Sequence, residues 1–124
     1  MNLRAFDTSV LVAHLRGDER VRGVLDPGRE ALACSLVAWE LWKGARSPAA
    51  MRGVARLLRA LHLDPFTAEL AEFAGQVHRD LHAAGQPRSD FDTIIAAHAL
   101  WRGVPLVTRD DAFDGIPGLE VHRV

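Results

Sequence analysis

Residues 3–16 read LRAFDTSVLVAHLR, a short apolar run that ends on an acid and leads directly into a helical pattern. The run predicts a β-strand over residues 3–7, and Thr8 or Ser9 is placed to cap a helix that continues to residue 16. The same succession of a short apolar strand and a longer helix recurs along the chain. Strands that alternate with helices indicate an α/β domain of three layers, with a mostly parallel central sheet flanked by helices.

Turn and capping residues divide the rest of the chain into further elements. Further strands are expected over residues 31–34, 61–63, 105–108 and 119–124, and further helices over residues 18–25, 35–46, 48–61, 67–84 and 90–102. Asp18 and Ser35 are expected to cap the helices that they begin, and Asp-Pro-Gly at residues 26–28 predicts a turn. Gly85 and Gly103 are each expected just past the end of a helix.

The composition fits a single domain over residues 1–124. Of the 124 residues 48% are hydrophobic and 25% charged, and domains of about 100–150 residues are the commonest. No apolar run approaches the roughly 20 residues that span a bilayer, and Arg4 and Asp7 interrupt what would be the apolar part of a secretory signal. Cys34 is the only cysteine, which excludes an internal disulfide. We therefore expect a soluble, cytoplasmic protein with no membrane partner.

Four acidic residues are expected at one edge of the predicted sheet. Asp7 ends the first strand, and Asp110 follows the strand over residues 105–108. Glu40 and Asp92 lie in the first two turns of helices that begin near the same edge. Ligands of such sheets bind at the carboxyl ends of the strands. Because neighbouring carboxylates repel one another and a hard divalent cation such as Mg²⁺ or Mn²⁺ prefers oxygen ligands, the arrangement predicts a metal site.

Each of these acids also has a structural explanation, so their joint placement carries the inference. Asp92 could complete a capping box that Ser89 begins, Asp110 could be a turn residue, and Glu40 could lie on a solvated helix surface. Asp7 is hardest to explain in this way, because an acid that closes an apolar strand gains little without a partner.

Other polar residues near these motifs are interpreted as structural. Asp90 is expected to be the N-cap of its helix rather than a ligand, although the sequence leaves open whether Asp90 or Asp111 assists the site. His78 and His82 have the spacing of a zinc pair but lack the glutamate of an H-E-x-x-H motif, which favours surface histidines. His98 lies six residues after Asp92 and thus on another face of the same helix, which argues against a role for His98 as a catalytic base.

Four stretches of the sequence resemble the successive motifs of one known family. FDTSVLVAHL (6–15), VAWELWKGA (37–45), SDFDTIIAAHALWRG (89–103) and PLVTRDDAFDGIPGLEV (105–121) are similar, in order and spacing, to motifs of PIN-domain ribonucleases. The resemblance is strongest to the VapC toxins of bacterial type II toxin–antitoxin systems. It runs from Leu3 to Val124 and implies a PIN fold.

The resemblance also implies a set of site residues and a chemistry. The residues that match the family's acidic metal-binding quartet are Asp7, Glu40, Asp92 and Asp110. The residues that match hydroxyl positions beside the metal are Thr8, Ser9 and Thr108. Many members have asparagine where Asp110 stands. The implied activity is Mg²⁺- or Mn²⁺-dependent hydrolysis of single-stranded or loop RNA, with tRNA and rRNA as the candidate substrates. In this chemistry the cation acidifies a water molecule and stabilises charge on the phosphate. The implied partners are a cognate VapB-like antitoxin and a second toxin domain, in a bacterial cytoplasm.

Two further surfaces have alternative interpretations. Trp39 and Trp42 share one face of their helix, turned away from the acidic edge, and are expected either to pack under neighbouring helices or to anchor the antitoxin. Arg52, Arg56 and Arg59 form a basic stripe on the next predicted helix. That stripe is either a solvated face or a contact for RNA phosphates or acidic antitoxin residues.

Two other functions compete with the nuclease. A receiver-type phosphoacceptor module is also an α/β domain with acids at strand ends, but it requires a lysine at the end of a late strand. Lys43, the only lysine of the chain, lies in the middle of a predicted helix. A PIN fold kept only for binding is the other alternative, and it would have no need of four converging carboxylates.

Overall fold

Five short strands form one parallel sheet in the structure, a computed structural model that describes residues 3–25 and 30–124. The strands are β1 (Arg4–Phe6), β2 (Ala31–Cys34), β3 (His62–Asp64), β4 (Leu106–Thr108) and β5 (Val121–Arg123). The helices are α1 (Thr8–Leu15), α2 (Ser35–Gly44), α3 (Pro48–Arg59), α4 (Ala68–Ala83) and α5 (Asp90–Arg102). The α/β fold expected from the sequence is thereby confirmed.

The order of the strands places β1 at the centre of the sheet. The order is β3-β2-β1-β4-β5, and every neighbouring pair is parallel. Because all the described strands run in one direction, their carboxyl ends meet at the same edge. The side chains of β1, β2 and β4 are buried throughout, as expected for strands covered by helices on both faces.

The helices fall into two groups around this sheet. Helices α1, α2 and α3 pack on one another, and α4 packs along α5. Helix α5 contacts β1, while α1 contacts β4. Within the described residues, no helix combines the length and the apolar character that crossing a membrane requires.

One predicted helix is wrong. In place of a helix over residues 18–25 the chain forms a single 3₁₀ turn at Glu19–Val21. Asp18 does cap this turn through the Arg20 N–H. The backbone is already extended at Arg22, and Gly23 follows with a φ of 80°, so no helix continues. The turn predicted at residues 26–28 lies outside the described residues.

Three predicted caps are also wrong. Helix α1 is capped by Asp7 rather than by Thr8 or Ser9. The N-cap of α2 is Cys34, which makes no side-chain capping bond. Ser35 does not cap the helix, since its hydroxyl accepts the N–H of Phe66. The N-cap of α5 is Ser89 and not Asp90. In each case the observed cap lies one or two residues before the predicted one.

The two glycine helix ends are confirmed. Helix α5 ends at Gly103, which has a φ of 66°, and Gly85 follows the end of α4 with a φ of 70°. A left-handed backbone of this kind favours glycine because no Cβ is present to clash. These ends fix where the chain leaves α4 and α5.

Candidate functional site

Asp7 lies at the carboxyl end of the central strand and is almost wholly buried, with 6% of its surface exposed. Its Oδ1 accepts the Thr8 N–H at 2.8 Å, and its Oδ2 accepts the hydroxyls of Ser9 and Thr108, each at 2.9 Å. Thr108 reaches Asp7 because it ends β4, the strand next to β1. All three donors are uncharged, and Asp7 takes part in no ion pair with the described residues.

The two hydroxyls that hold Asp7 also hold the loop after β4. The Thr108 hydroxyl accepts the Asp110 N–H at 3.0 Å, and the Ser9 hydroxyl accepts the Arg109 N–H at 3.2 Å. Since each hydroxyl has one proton and gives it to Asp7, the network fixes the direction of these bonds. Thr8 is different: its N–H supports Asp7, whereas its Oγ1 is buried without a hydrogen-bond partner in the described part of the chain.

The pKa shifts show that the four predicted acids share one electrostatic environment. Burial raises the pKa of Asp92; the Ser89 hydroxyl bond opposes this, and the negative charges of Asp110 and Glu40 raise it further. Burial likewise raises the pKa of Asp7, against the bonds from its three donors, and the charge of Asp92 adds to the rise. Asp92 therefore interacts with each of the other three acids.

The remaining acids of this edge lie nearer the surface. Glu40 is half-buried on α2, and Asp110 is exposed. The carboxylate of Asp110 accepts the Ala112 N–H at 3.0 Å and begins the 3₁₀ turn at Asp111–Phe113, so this residue does have a local structural role. Asp90 and Asp111 are both exposed.

Arg88 is a residue that the sequence did not single out. Its positive charge lowers the pKa of Asp92, although less than burial and the neighbouring acids raise it. Its guanidinium is held by the carbonyl oxygens of Gln86, Ala112 and Asp114, at 2.5 to 2.7 Å. Arg88 thus ties the loop before α5 to the loop after β4, and its position directly before the α5 cap was the only signal in the sequence.

The donor set of this edge suits a hard divalent cation. Carboxylate oxygens are the ligands that Mg²⁺ and Mn²⁺ prefer, and the mutual repulsion that raises the Asp92 pKa is what such a cation would relieve. As the side chains stand, no three His, Cys, Asp or Glu residues of the described chain already form a group that could hold a metal ion. The residues are therefore suited in chemistry and in charge, without a ready-made coordination shell.

Two concave surfaces adjoin the acids. An open depression of about 450 Å³ is lined by Ser9, Arg109, Asp110, Asp111 and Arg123. A groove of about 400 Å³ lies between α1, α2 and α3, with Glu40 at its edge and mainly apolar residues along it, among them Val12, Leu41 and Val54. The first is suited to a polar ligand and the second to an apolar chain.

The other predicted features do not belong to the group of four acids. Trp39 and Trp42 are 54% and 43% exposed, so they do not pack under neighbouring helices. His98 is buried and hydrogen-bonded to Asp64 at 2.9 Å. The rings of His78 and His82 lie 4.2 Å apart on α4.

Comparison with known families and structures gives a consistent result. Residues 5–119 match the family model described as the PIN domain. The chain is similar to the DNA-bound VapBC of Salmonella typhimurium, at 28% identity and a TM-score of 0.82 over 99% of this chain and 98% of that one. It is also similar to VapBC2 from Rickettsia felis bound to a promoter DNA fragment, at 19% identity and a TM-score of 0.85 over 98% of each chain.

A third similar structure is that of VapC20 from Mycobacterium tuberculosis, a toxin that cleaves the sarcin-ricin loop. It is 24% identical, with a TM-score of 0.64 over 90% of each chain. Among curated proteins, the comparison found no match.

Proposed function

Because the chain belongs to the PIN-domain family, we propose that it is a VapC-type toxin, an endoribonuclease that depends on Mg²⁺ or Mn²⁺. One observation carries the proposal: a buried aspartate at the end of the central strand is held by neutral donors only and lies in the field of Asp92, which in turn interacts with Asp110 and Glu40. Such uncompensated charge with raised pKa values is typical of functional sites.

In this proposal Asp7 and Asp92 would hold the cation directly, and Asp110 and Glu40 would bind it directly or through water. When bound, the cation supplies an acidified water molecule and stabilises charge that develops on the phosphate. The hydroxyls of Ser9 and Thr108 orient the Asp7 carboxylate, and their hydrogen bonds counter the effect of burial on its pKa. They thereby oppose the protonation of Asp7 that burial favours.

The substrate class that we propose is single-stranded or loop RNA, within either tRNA or rRNA. The cleavage of the sarcin-ricin loop by the similar VapC20 supports this choice. Expressed in a bacterial cytoplasm, a nuclease of this kind requires an inhibitor.

For the inhibitor we propose a small VapB-like antitoxin. The similarity to the VapBC of Salmonella typhimurium supports it, and the apolar groove between α1, α2 and α3 is suited to receive a segment of such a partner. Since that groove has Glu40 at its edge, an occupant would lie beside the acids. The proposal includes a dimer of toxin domains, to be measured by sedimentation with and without the antitoxin.

The nuclease proposal is tested by incubating the purified chain and its Asp7→Asn variant with RNA, in Mg²⁺, in Mn²⁺ and in EDTA. The expected result is cleavage in either cation, none in EDTA, and none by the variant. Cleavage that persists in EDTA, or a variant as active as the parent chain, would contradict the proposal.

The antitoxin is tested by co-expression with the reading frame that adjoins the gene. We expect a stable complex in which RNA cleavage is suppressed. Harmless overexpression of the chain alone, with no complex formed, would argue against the toxin role.

A further inference from the structure

The segment from the end of α2 through α3 carries an unusual charge. Residues 41–63 contain no aspartate or glutamate, although the whole chain has a net charge of −1. The basic residues of this segment are Lys43, Arg46, Arg52, Arg56 and Arg59. The segment therefore carries five positive charges and no negative ones, and it directly follows Glu40 in the sequence.

These five cations are exposed and lack acidic partners. All of them lie on the surface, and none belongs to an ion pair among the described residues. By contrast, Arg20, Arg102, Arg109 and Arg123 each pair with an aspartate. Positive charge that the fold leaves unpaired is available to an anionic partner.

On α3 the three arginines share one outward side. At 100° per residue, Arg52, Arg56 and Arg59 fall within an arc of about 60°. Val54 and Leu57, the buried residues of α3, lie on the opposite side. The arginines thus do not serve the packing of the helix.

On α2 the charge is combined with exposed aromatic rings. Trp39 and Trp42 expose about half of their surface, and the Lys43 Nζ lies 4.7 Å from the centre of the Trp39 ring. Lys43 is also one helical turn from Glu40, so it lies between the indoles and the acidic edge on the helix surface. The pair presents a flat ring and a cation at one place, next to the candidate site.

We propose that two surfaces of the neighbouring helices α2 and α3 together bind single-stranded RNA that leads to the acidic edge. We name them the basic–aromatic face: Trp39, Trp42, Lys43 and Arg46 form one part, and the three arginines of α3 form the other. Bases stack on the indoles and phosphates bind the cations, the combination that single-stranded nucleic acid requires. A protein partner could also contact the exposed rings, but a cation and a ring placed 4.7 Å apart match the alternation of phosphate and base along a single strand, and this favours RNA. This inference rests on the proposed ribonuclease function.

Tryptophan fluorescence tests the aromatic part. The Trp101→Phe variant retains Trp39 and Trp42 as its only indoles. Titration of this variant with single-stranded oligouridine in EDTA should quench the fluorescence, and a further Trp39→Ala and Trp42→Ala change should weaken binding about tenfold or more, measured by anisotropy of labelled RNA. Trp101→Ala, which removes an equally exposed indole on α5, is the matched control and should leave the affinity unchanged.

Salt dependence tests the charged part independently. Replacing Arg52, Arg56 and Arg59 with glutamine should reduce the slope of log affinity against the logarithm of the salt concentration by about 2. Each phosphate contact of a single strand contributes about 0.7 to this slope, and three contacts would be lost. Replacing Arg20, Arg22 and Arg79 with glutamine removes the same charge elsewhere and should leave the slope unchanged. Because these arginines are exposed, circular dichroism should show all the variants folded.

The outcomes distinguish the ribonuclease function from the basic–aromatic face, because binding is measured in EDTA, where the RNA stays intact. A chain that binds oligouridine through this face but does not cleave RNA in Mg²⁺ contradicts the ribonuclease function. A chain that cleaves RNA, while the indole and arginine variants bind as the parent does, overturns the basic–aromatic face. Quenching by poly-L-glutamate but not by oligouridine also overturns it and assigns the face to an acidic protein.

Discussion

Asp7 and Asp64 both lie at the carboxyl edge of the same parallel sheet, and their surroundings differ completely. Asp64 ends β3; one of its carboxylate oxygens pairs with His62 at 3.0 Å and Arg102 at 3.3 Å, and the other with His98 at 2.9 Å. Asp7 follows β1 and has neutral hydrogen-bond donors and a negative neighbour, Asp92. One acid is neutralised by its own chain and the other is not.

The difference separates a structural acid from a functional one. The Asp64 group joins β3 to the last turns of α5, and it needs nothing from outside the molecule. Around Asp7, the fold buries negative charge without a counter-charge, which costs free energy unless a cation is bound. A natural sequence that keeps such a local conflict does so where function requires it.

The largest effect should come from removing one carboxylate of the uncompensated group. Asp92→Asn should lower RNA cleavage about a hundredfold or more, since even outer partners of a metal site contribute 10–100-fold. Asp90→Asn changes the same residue type two positions earlier on α5 and should leave the rate within a small factor. Equal rates for the two variants in a steady-state assay would place the site elsewhere.

Stability should respond in opposite directions at the two aspartates. Asp64→Asn removes hydrogen bonds to charged groups and should lower the free energy of unfolding by about 2 kcal/mol. Asp7→Asn removes an uncompensated buried charge. Its oxygen can accept the Thr8 N–H, and its amide can donate to the Ser9 and Thr108 hydroxyls once these turn, so the metal-free protein should be at least as stable as the parent. Urea unfolding in EDTA measures both, and a loss at Asp7 as large as that at Asp64 would remove the distinction between them.

The same difference predicts a dependence on pH. Burial raises the pKa of Asp7 above its ordinary value, so the folded protein binds this proton more readily than the unfolded chain does. The ionised form therefore destabilises the metal-free fold at neutral pH, and this penalty is relieved as the pH falls through the raised pKa. The stability advantage of Asp7→Asn should thus be greatest near neutral pH and shrink in acid. A stability advantage that grows on acidification would contradict a raised pKa of Asp7.

The contribution of His98 to stability should also depend on pH, more weakly and in the opposite direction. Burial lowers its pKa, although the Asp64 hydrogen bond opposes the shift. The fold therefore disfavours the protonated ring, and the stability that the neutral ring contributes is lost as the pH falls below the ordinary histidine pKa of about 6.5. His98→Gln should flatten the fall in stability over this range, as followed by thermal unfolding. An unchanged pH profile would mean that His98 does not titrate in this way.

The sequence predicted the elements that depend on local pattern. Each of the five strands and the five longer helices of the structure was expected from apolar runs, helical spacing and glycine ends. Observed strands such as β5 are shorter than expected, because the apolar pattern continues past the residues that pair. The failed helix after Asp18 had a good cap but a glycine, Gly23, that adopts a positive φ.

What the sequence could not supply are contacts between distant residues. His98 lies 34 residues from Asp64 along the chain, and neither carries a local sign of the other. Helical periodicity placed Trp39 and Trp42 on one face, but only the packing of α2 shows that this face is uncovered. The candidate acids were recognisable because strand ends and family motifs pointed to the same residues.

The most direct test of the contrast between Asp7 and Asp64 is a calorimetric titration with Mn²⁺ in the absence of RNA. The parent chain and Asp64→Asn should bind the cation with the same affinity, and Asp92→Asn should bind it at least about tenfold more weakly. A parent chain that binds no Mn²⁺, or an Asp92→Asn variant that binds as the parent does, would contradict the assignment of this acidic edge as a metal site.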